Sequence, residues 1–268
     1  MEQVLRGETA LVTGAGSGIG RAAALLLAQA GARVAGFDRD TDTVRRTAEE
    51  ITSAGGQAHP LTGDVAESGQ ARAAVDEAEA RLGPLRILVN AAGIVVRKGL
   101  LDTTPDEWQR VLDVNITGYF NFLQAAVPRM EAAGGGRIVQ IASIAGHVGY
   151  GYVSYTAAKG AVLSITRQLA NELAAKRIRI NSISPGVVET GLNRDTLSTD
   201  AIRDATIANT PWGRLGAPDD IAQAALWLAG PGSEFVTGTD LVVDGGMISC
   251  IHWGAAREAL TSFHAGDR

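Results

Sequence analysis

Residues 9–30 read TALVTGAGSGIGRAAALLLAQA. Thr9–Thr13 is a short apolar and β-branched run, and it passes without a break into a glycine-rich turn. The turn in turn opens a helical pattern over Ile19–Ala30. Gly14, Gly18 and Gly20 let the backbone turn sharply and come close to a bound group. A helix that starts there offers unpaired N–H groups and the positive end of its dipole to an anion. The spacing is G-x-x-x-G-x-G rather than G-x-G-x-x-G, but the strand before and the helix after supply the context a diphosphate cradle needs. Gly14, Ser17, Gly18, Ile19 and Gly20 are therefore expected to hold a dinucleotide.

The same rhythm continues along the chain. Strands are predicted at Thr9–Thr13, Arg33–Phe37, Gln57–Leu61, Ile87–Asn90, Gly136–Ala142, Arg179–Ser184 and Leu241–Val243. Helices are predicted at Ile19–Ala30, Asp42–Ala54, Ser68–Leu82, Pro105–Ala133, Tyr152–Lys176 and Asp219–Ala229. The strands are continuous apolar runs rather than in/out alternations, as expected where helices cover both faces of a sheet. Repeated strand–helix–strand order implies right-handed crossovers and a parallel, doubly wound α/β sheet. The polar stretch of about residues 190–212 breaks the rhythm and suggests a flap, and residues 247–268 form a tail with Trp253 and Phe263.

Asp38 closes the second strand, where an acid can accept both ribose hydroxyls of an adenosine. A carboxylate about 4 Å from an added phosphate charge costs around 4 kcal/mol per charge pair at intermediate dielectric, so NAD is expected over NADP. Arg39 and Arg33 complicate this, because a guanidinium tolerates a 2′-phosphate. Asp64 and Val65 follow the third strand and suit an adenine amino group and ring.

Tyr155 and Lys159 stand four apart in a helical pattern and share a face. Free tyrosine titrates near 10, and lowering it by about 3 units takes roughly 4 kcal/mol of phenolate stabilisation. The Lys159 ammonium and a positively charged nicotinamide are expected to supply it, which makes Tyr155 the acid/base of a hydride transfer. Lys159 can also hold the nicotinamide ribose, Ser143 can donate to the substrate oxygen, and Asn115 can hold a water that joins Lys159 to solvent.

Taken together, Thr13-Gly14…Gly18-Ile19-Gly20, Asp64-Val65, Asn90-Ala91-Ala92-Gly93, Asn115, Ser143, Tyr155…Lys159 and Pro185-Gly186…Thr190 make the chain resemble the short-chain dehydrogenase/reductase family. Gly213–Pro218 and Val243–Gly246 add to the match, which runs from Glu8 to Gly246. The resemblance implies a single Rossmann-type domain with a seven-stranded parallel sheet over residues 8–246, a catalytic tetrad of Asn115, Ser143, Tyr155 and Lys159, and a homotetramer. It further implies that Asn90 steadies the central strand and that Ala91 and Gly93 lie along the cofactor. Pro185, Gly186 and Thr190 would face the nicotinamide, with Val188 bonding the carboxamide through its backbone. Asn90-Ala91 stands where Asn-Asn is commoner, and the interval from Ser143 to Tyr155 is one residue short. That shortening alters the loop Gly146–Ser154, whose His147, Tyr150 and Tyr152 are candidate substrate contacts together with Trp212. If Arg97, Lys98, Arg194 and Trp212 converge, a sugar, polyol or hydroxy acid becomes the expected substrate.

Composition narrows the rest. In 268 residues, 46% hydrophobic and with a formal charge of −5, there is no basic footprint for nucleic acid. No apolar run is long enough for a bilayer, and the start lacks the pattern of a signal peptide. A single cysteine, Cys250, suits a reducing compartment, so a cytoplasmic location is expected. His59, His252 and His264 lack ligand spacing, so no metal is expected. The sequence reads as an NAD(H)-dependent enzyme that interconverts a secondary alcohol and a ketone. Its rivals are an NADPH-dependent reductase of 3-oxoacyl-carrier-protein type and a non-catalytic NAD(H) sensor.

Overall fold

The computed structural model describes residues 3–249; the tail with Cys250, Trp253 and Phe263 lies outside them. Seven strands form one parallel sheet in the order β3-β2-β1-β4-β5-β6-β7. They are β1 Thr9–Thr13, β2 Arg33–Asp38, β3 Gln57–Thr62, β4 Leu85–Asn90, β5 Gly136–Ile141, β6 Ile178–Pro185 and β7 Asp240–Val243. Each predicted strand is present, with ends moved by at most two residues. The central strands are buried on both faces, as their unbroken apolar runs require, while β3 and β7 at the edges are partly open.

Helices α1 (Gly18–Gln29), α2 (Thr41–Ser53) and α9 (Pro218–Ala229) cover one face, through Ala23, Leu27, Val44, Ile51, Ile221 and Leu228. Helices α3 (Ser68–Leu82), α5 (Gly118–Ala132) and α6 (Val153–Leu173) cover the other, through Val75, Leu82, Phe122, Met130 and Leu173. Burying each leucine or phenylalanine of this kind contributes roughly 1.5–3 kcal/mol.

Two stretches depart from the expected pattern. Pro105–Ala133 is not one helix: α4 (Pro105–Leu112) passes through a π-helical turn, Asp113–Thr117, before α5 begins. Residues 190–212 fold into two short helices, α7 (Arg194–Leu197) and α8 (Asp200–Ala208), rather than a plain loop. Among the described residues no helix is long and apolar enough to cross a membrane, and no three metal-ligating side chains cluster.

All seven strands point the same way, so their carboxyl ends form one edge. The chain order reverses direction between β1 and β4, which opens a crevice at that edge. Thr13 ties the two strand ends together, its Oγ1 accepting from Ala91 N at 3.0 Å and Ala92 N at 3.2 Å.

Candidate active site

One continuous crevice runs along the carboxyl edge of the sheet. Gly14, Ser17, Gly18, Ile19 and Gly20 form its floor at the start of α1. Gly14 has φ +69°, and a Cβ there would lie 2.9 Å from the Ala92 backbone. Only glycine lets the β1 turn sit this close to the end of β4.

Asp38 lines the crevice beside Arg39. Its Oδ2 accepts from Gly16 N at 2.9 Å and its Oδ1 from Asp40 N at 3.1 Å, which fixes the carboxylate against the glycine turn. Each oxygen retains a lone pair for a ribose hydroxyl. Arg33 does not share this end. It begins β2, at the opposite edge of the sheet, and its guanidinium bonds the Gly7 carbonyl. Arg33 therefore has no part in reading a 2′-phosphate.

Asp64 and Val65 line the crevice further out. Asp64 Oδ2 accepts from Arg110 Nη2 at 2.9 Å and Oδ1 from Ala66 N at 3.0 Å. Burial pushes this carboxyl up, but the Ala66 N–H and the Arg110 and Arg39 charges outweigh it and leave the group below its ordinary value. Arg110 on α4 lines the crevice too, and the sequence reading missed it.

Ser143, Tyr155 and Lys159 converge on the middle of the crevice, with Ala91 and Gly93 beside them. Tyr155 is partly open to the crevice. Desolvation by the surrounding protein nonetheless pushes its hydroxyl up to about 12, against the opposing pull of the Ser143 hydroxyl and the Arg97 charge. Burial also brings Lys159 down to about 7. Lys159 Nζ donates to Ile141 O at 2.7 Å and to Tyr119 Oη at 3.3 Å, and lies 5.7 Å from the Tyr155 ring centroid. Without the positively charged nicotinamide, Lys159 does not make Tyr155 acidic. Both groups are buried enough to favour their neutral forms, and the lysine nitrogen is held by other partners.

Tyr119, buried on α5, was not anticipated. Its hydroxyl donates to Ile141 O at 3.0 Å and accepts from Lys159, so it fixes the lysine from below. Tyr119→Phe should lower stability by about 1 kcal/mol in urea unfolding, the usual net worth of a buried hydrogen bond. An unchanged midpoint would show that the contact contributes nothing.

Asn115 does not line the crevice but sits directly beneath it, in the π-helical turn. Its Nδ2 donates to Ile94 O and Val111 O, both at 2.9 Å. Its buried Oδ1 has no donor against it among the described residues. A Cβ on Gly93 would fall 2.9 Å from that oxygen and 3.9 Å from Lys159 Nζ. Asn115, Gly93 and Lys159 thus meet at one point. Asn90 lies deeper and outside the crevice, its Nδ2 donating to Gln140 Oε1 at 2.8 Å. It braces β4 against β5 rather than touching a ligand.

Pro185, Gly186, Val188 and Thr190 close the far end. Val188 O already accepts from Asn193 Nδ2 at 3.0 Å, which leaves less of its backbone for a carboxamide than expected. A glycine turn at a helix start, a fixed acid at the end of β2 and an unpartnered Asn115 oxygen beside Lys159 together fit a nicotinamide dinucleotide laid along the crevice.

Four candidate substrate residues are not part of the crevice lining, although Tyr150 lies near enough to Tyr155 to act on it. His147 turns away, its Nε2 2.8 Å from Asp240 Oδ2 and 3.1 Å from Ser184 Oγ. Trp212 is 74% exposed and lines a separate hollow beside Arg214 and Asp244. Tyr150 and Tyr152 pack edge to face at 5.6 Å and stand outside the crevice lining, with Tyr150 facing an apolar groove against α8. Lys98 is taken by Glu107 at 2.7 Å, so the basic residues do not converge.

A family model described as enoyl-(acyl carrier protein) reductase matches residues 14–248. The chain is 39% identical over 251 residues to cyclohexanol dehydrogenase of Acinetobacter sp., covering 93% of this chain and 98% of that protein. It is 35% identical over 245 residues to the 3-oxoacyl-(acyl-carrier-protein) reductase of Thermotoga maritima, covering 91% and 99%. A gluconate 5-dehydrogenase from Burkholderia cenocepacia, solved with NADP and tartrate, superposes with a TM-score of 0.88 at 40% identity, covering 92% and 97%.

Proposed function

The chain belongs to the short-chain dehydrogenase/reductase family, and from that premise we propose that it interconverts a secondary alcohol and a ketone with NAD(H). One observation carries the reading: Tyr155, Ser143 and Lys159 line the same crevice as the glycine turn and Asp38. Such a site can bind a dinucleotide and handle a proton at its reactive end. A nicotinamide cofactor, when bound, supplies the hydride transfer. Gly14–Gly20 would hold its diphosphate, Asp38 the adenosine ribose, and Pro185–Thr190 the nicotinamide end.

Tyr155 donates its proton to the carbonyl oxygen in the reducing direction and takes it back in the oxidising one. Ser143 holds the same oxygen beside it. Lys159 would hold the nicotinamide ribose of a bound cofactor, and the unpartnered Asn115 Oδ1 near its ammonium would hold a water able to exchange protons with solvent. A screen of sugars, polyols, hydroxy acids and cyclic alcohols for NAD⁺ reduction tests the reading. NADH binding without turnover of any of them would favour a sensor instead.

Asp38 supports NAD, whereas Arg39 on the same wall and the NADP-bound relative support the phosphorylated cofactor. We take the fixed carboxylate as decisive. At intermediate dielectric its repulsion of a 2′-phosphate, heavily discounted, still favours NAD by about tenfold or more in kcat/KM. Asp38→Ala should reduce or invert that ratio. An NADPH preference in the unaltered enzyme would overturn the argument and favour the reductase of 3-oxoacyl-carrier-protein type.

The homotetramer, the cytoplasmic location and the substrate flap at residues 190–212 belong to the same reading. Ala157 on α6 and the half-exposed Phe120 on α5 offer small and apolar surface for a second copy. The mass of the protein in solution tests the assembly.

A further inference from the structure

The loop between β4 and α4 lines the crevice at Ala91–Ile94. It is pinned to the start of α6, where Lys98 O accepts from Val153 N at 3.3 Å, two residues before Tyr155. The preceding residue, Arg97, does not itself line the crevice but bonds two residues that do. Its Nη2 donates to Leu192 O at 2.6 Å and to Asn193 Oδ1 at 2.9 Å, and its guanidinium carbon stands 6.0 Å from the Tyr152 ring centroid. Leu192 and Asn193 line the same crevice as Ser143 and Tyr155. The guanidinium is therefore at the substrate end of the site, away from Asp38 and the glycine turn.

Its bonding there is incomplete. Both hydrogen bonds leave from one nitrogen, and both end on neutral oxygens. Among the described residues Arg97 pairs with no carboxylate. Glu107 pairs with Lys98 and Glu189 with Arg203, and neither Asp102 on the same loop nor Asp195 on α7 forms an ion pair with Arg97. A guanidinium carries five N–H donors in a planar fork, so most of its donor capacity remains for a ligand. Its charge also acts on the substrate end, drawing the Tyr155 and Tyr150 hydroxyls downward against the stronger effect of burial. A neutral alcohol leaves such a cation uncompensated, whereas an oxyanion meets it with two parallel, charge-assisted hydrogen bonds.

We propose that Arg97 reads an anionic headgroup, and that the substrate is a secondary alcohol carrying a carboxylate or equivalent oxyanion. This rests on the dehydrogenase reading above and names the substrate class for it. The rival role is a clasp, in which Arg97 only holds the Leu192–Asn193 segment across the crevice.

Matched pairs separate the two. With NAD⁺, the enzyme is assayed on 3-hydroxybutyrate against 2-butanol and on D-gluconate against D-glucitol. NADH affinity is followed by fluorescence. The unaltered enzyme should prefer the acid of at least one pair, and Arg97→Met should collapse that preference by about a hundredfold through KM. Arg97→Lys, which keeps the charge and loses the fork, should restore part of it. The proposal is overturned if neither acid is preferred, or if Arg97→Met lowers acid and neutral partner equally, as a clasp would. NADH binding with no oxidation of any probe would instead bring down the dehydrogenase reading itself, and this assignment with it.

Discussion

Tyr155→Phe abolishes turnover to within measurement, by about 10³-fold or more, and leaves NADH affinity nearly unchanged. In the proposed reaction the phenol exchanges a proton with the substrate oxygen; it lines the crevice with Ser143, whose hydroxyl acts on it. Phenylalanine keeps the ring and the packing while removing the proton. The loss should therefore appear in kcat and not in cofactor binding. The direction of the Tyr155 shift adds a pH signature. A hydroxyl pushed up to about 12 is neutral at pH 7, which is the form that donates to a ketone. Reduction should then be flat through neutrality. Oxidation needs the deprotonated form, so its kcat/KM should climb with pH by about a decade per unit until the effective pKa of the cofactor-bound site is reached. Wild-type-like turnover by the phenylalanine variant, or oxidation that does not rise with pH, would remove Tyr155 from the role.

The fold was legible because its signals are local. β1, its glycine turn and α1 are consecutive, and the parallel strands advertise themselves as unbroken apolar runs. Ser143, Tyr155 and Lys159 could also be singled out from their spacing, and they line one crevice. What escaped depends on distant partners. The direction of His147 is set by Asp240, 93 residues later, and no loop pattern reveals that. The π-helical turn that drops Asn115 beneath Gly93, Asp113–Thr117, contains no glycine or proline to mark a break, so Pro105–Ala133 looked continuous. Tyr119 reads as one more core aromatic until its hydroxyl is seen against Ile141 O and Lys159. Arg33 is different, because the sequence itself was enough to dismiss it. It starts the strand that Asp38 ends, and at about 3.3 Å per residue five steps carry it roughly 16 Å away.

Lys159 is where function and stability pull against each other, and Lys159→Met separates them. An ammonium in this position is almost fully buried, and burial brings its pKa from the usual 10.5 to about 7. The folded chain then holds fewer protons than the unfolded chain between about pH 7 and 10.5, so stability rises with pH across that window. Below pH 7 both states are protonated and the whole penalty is present. At about 1.36 kcal/mol per unit its ceiling is near 5 kcal/mol, and relaxation around the charge reduces it to the order of 2. Methionine fills nearly the same volume without the charge. The two oxygens that Lys159 leaves do not become orphans, because Tyr119 Oη still donates to Ile141 O at 3.0 Å. The variant should therefore unfold at higher urea than the parent at pH 6.5, with the advantage shrinking steadily by pH 9.5. It should also lose turnover, since no proton passes along the chain from Tyr155 toward Asn115. A variant less stable than the parent at pH 6.5, or one whose advantage does not change with pH, would mean that the protein already compensates this charge in its folded state.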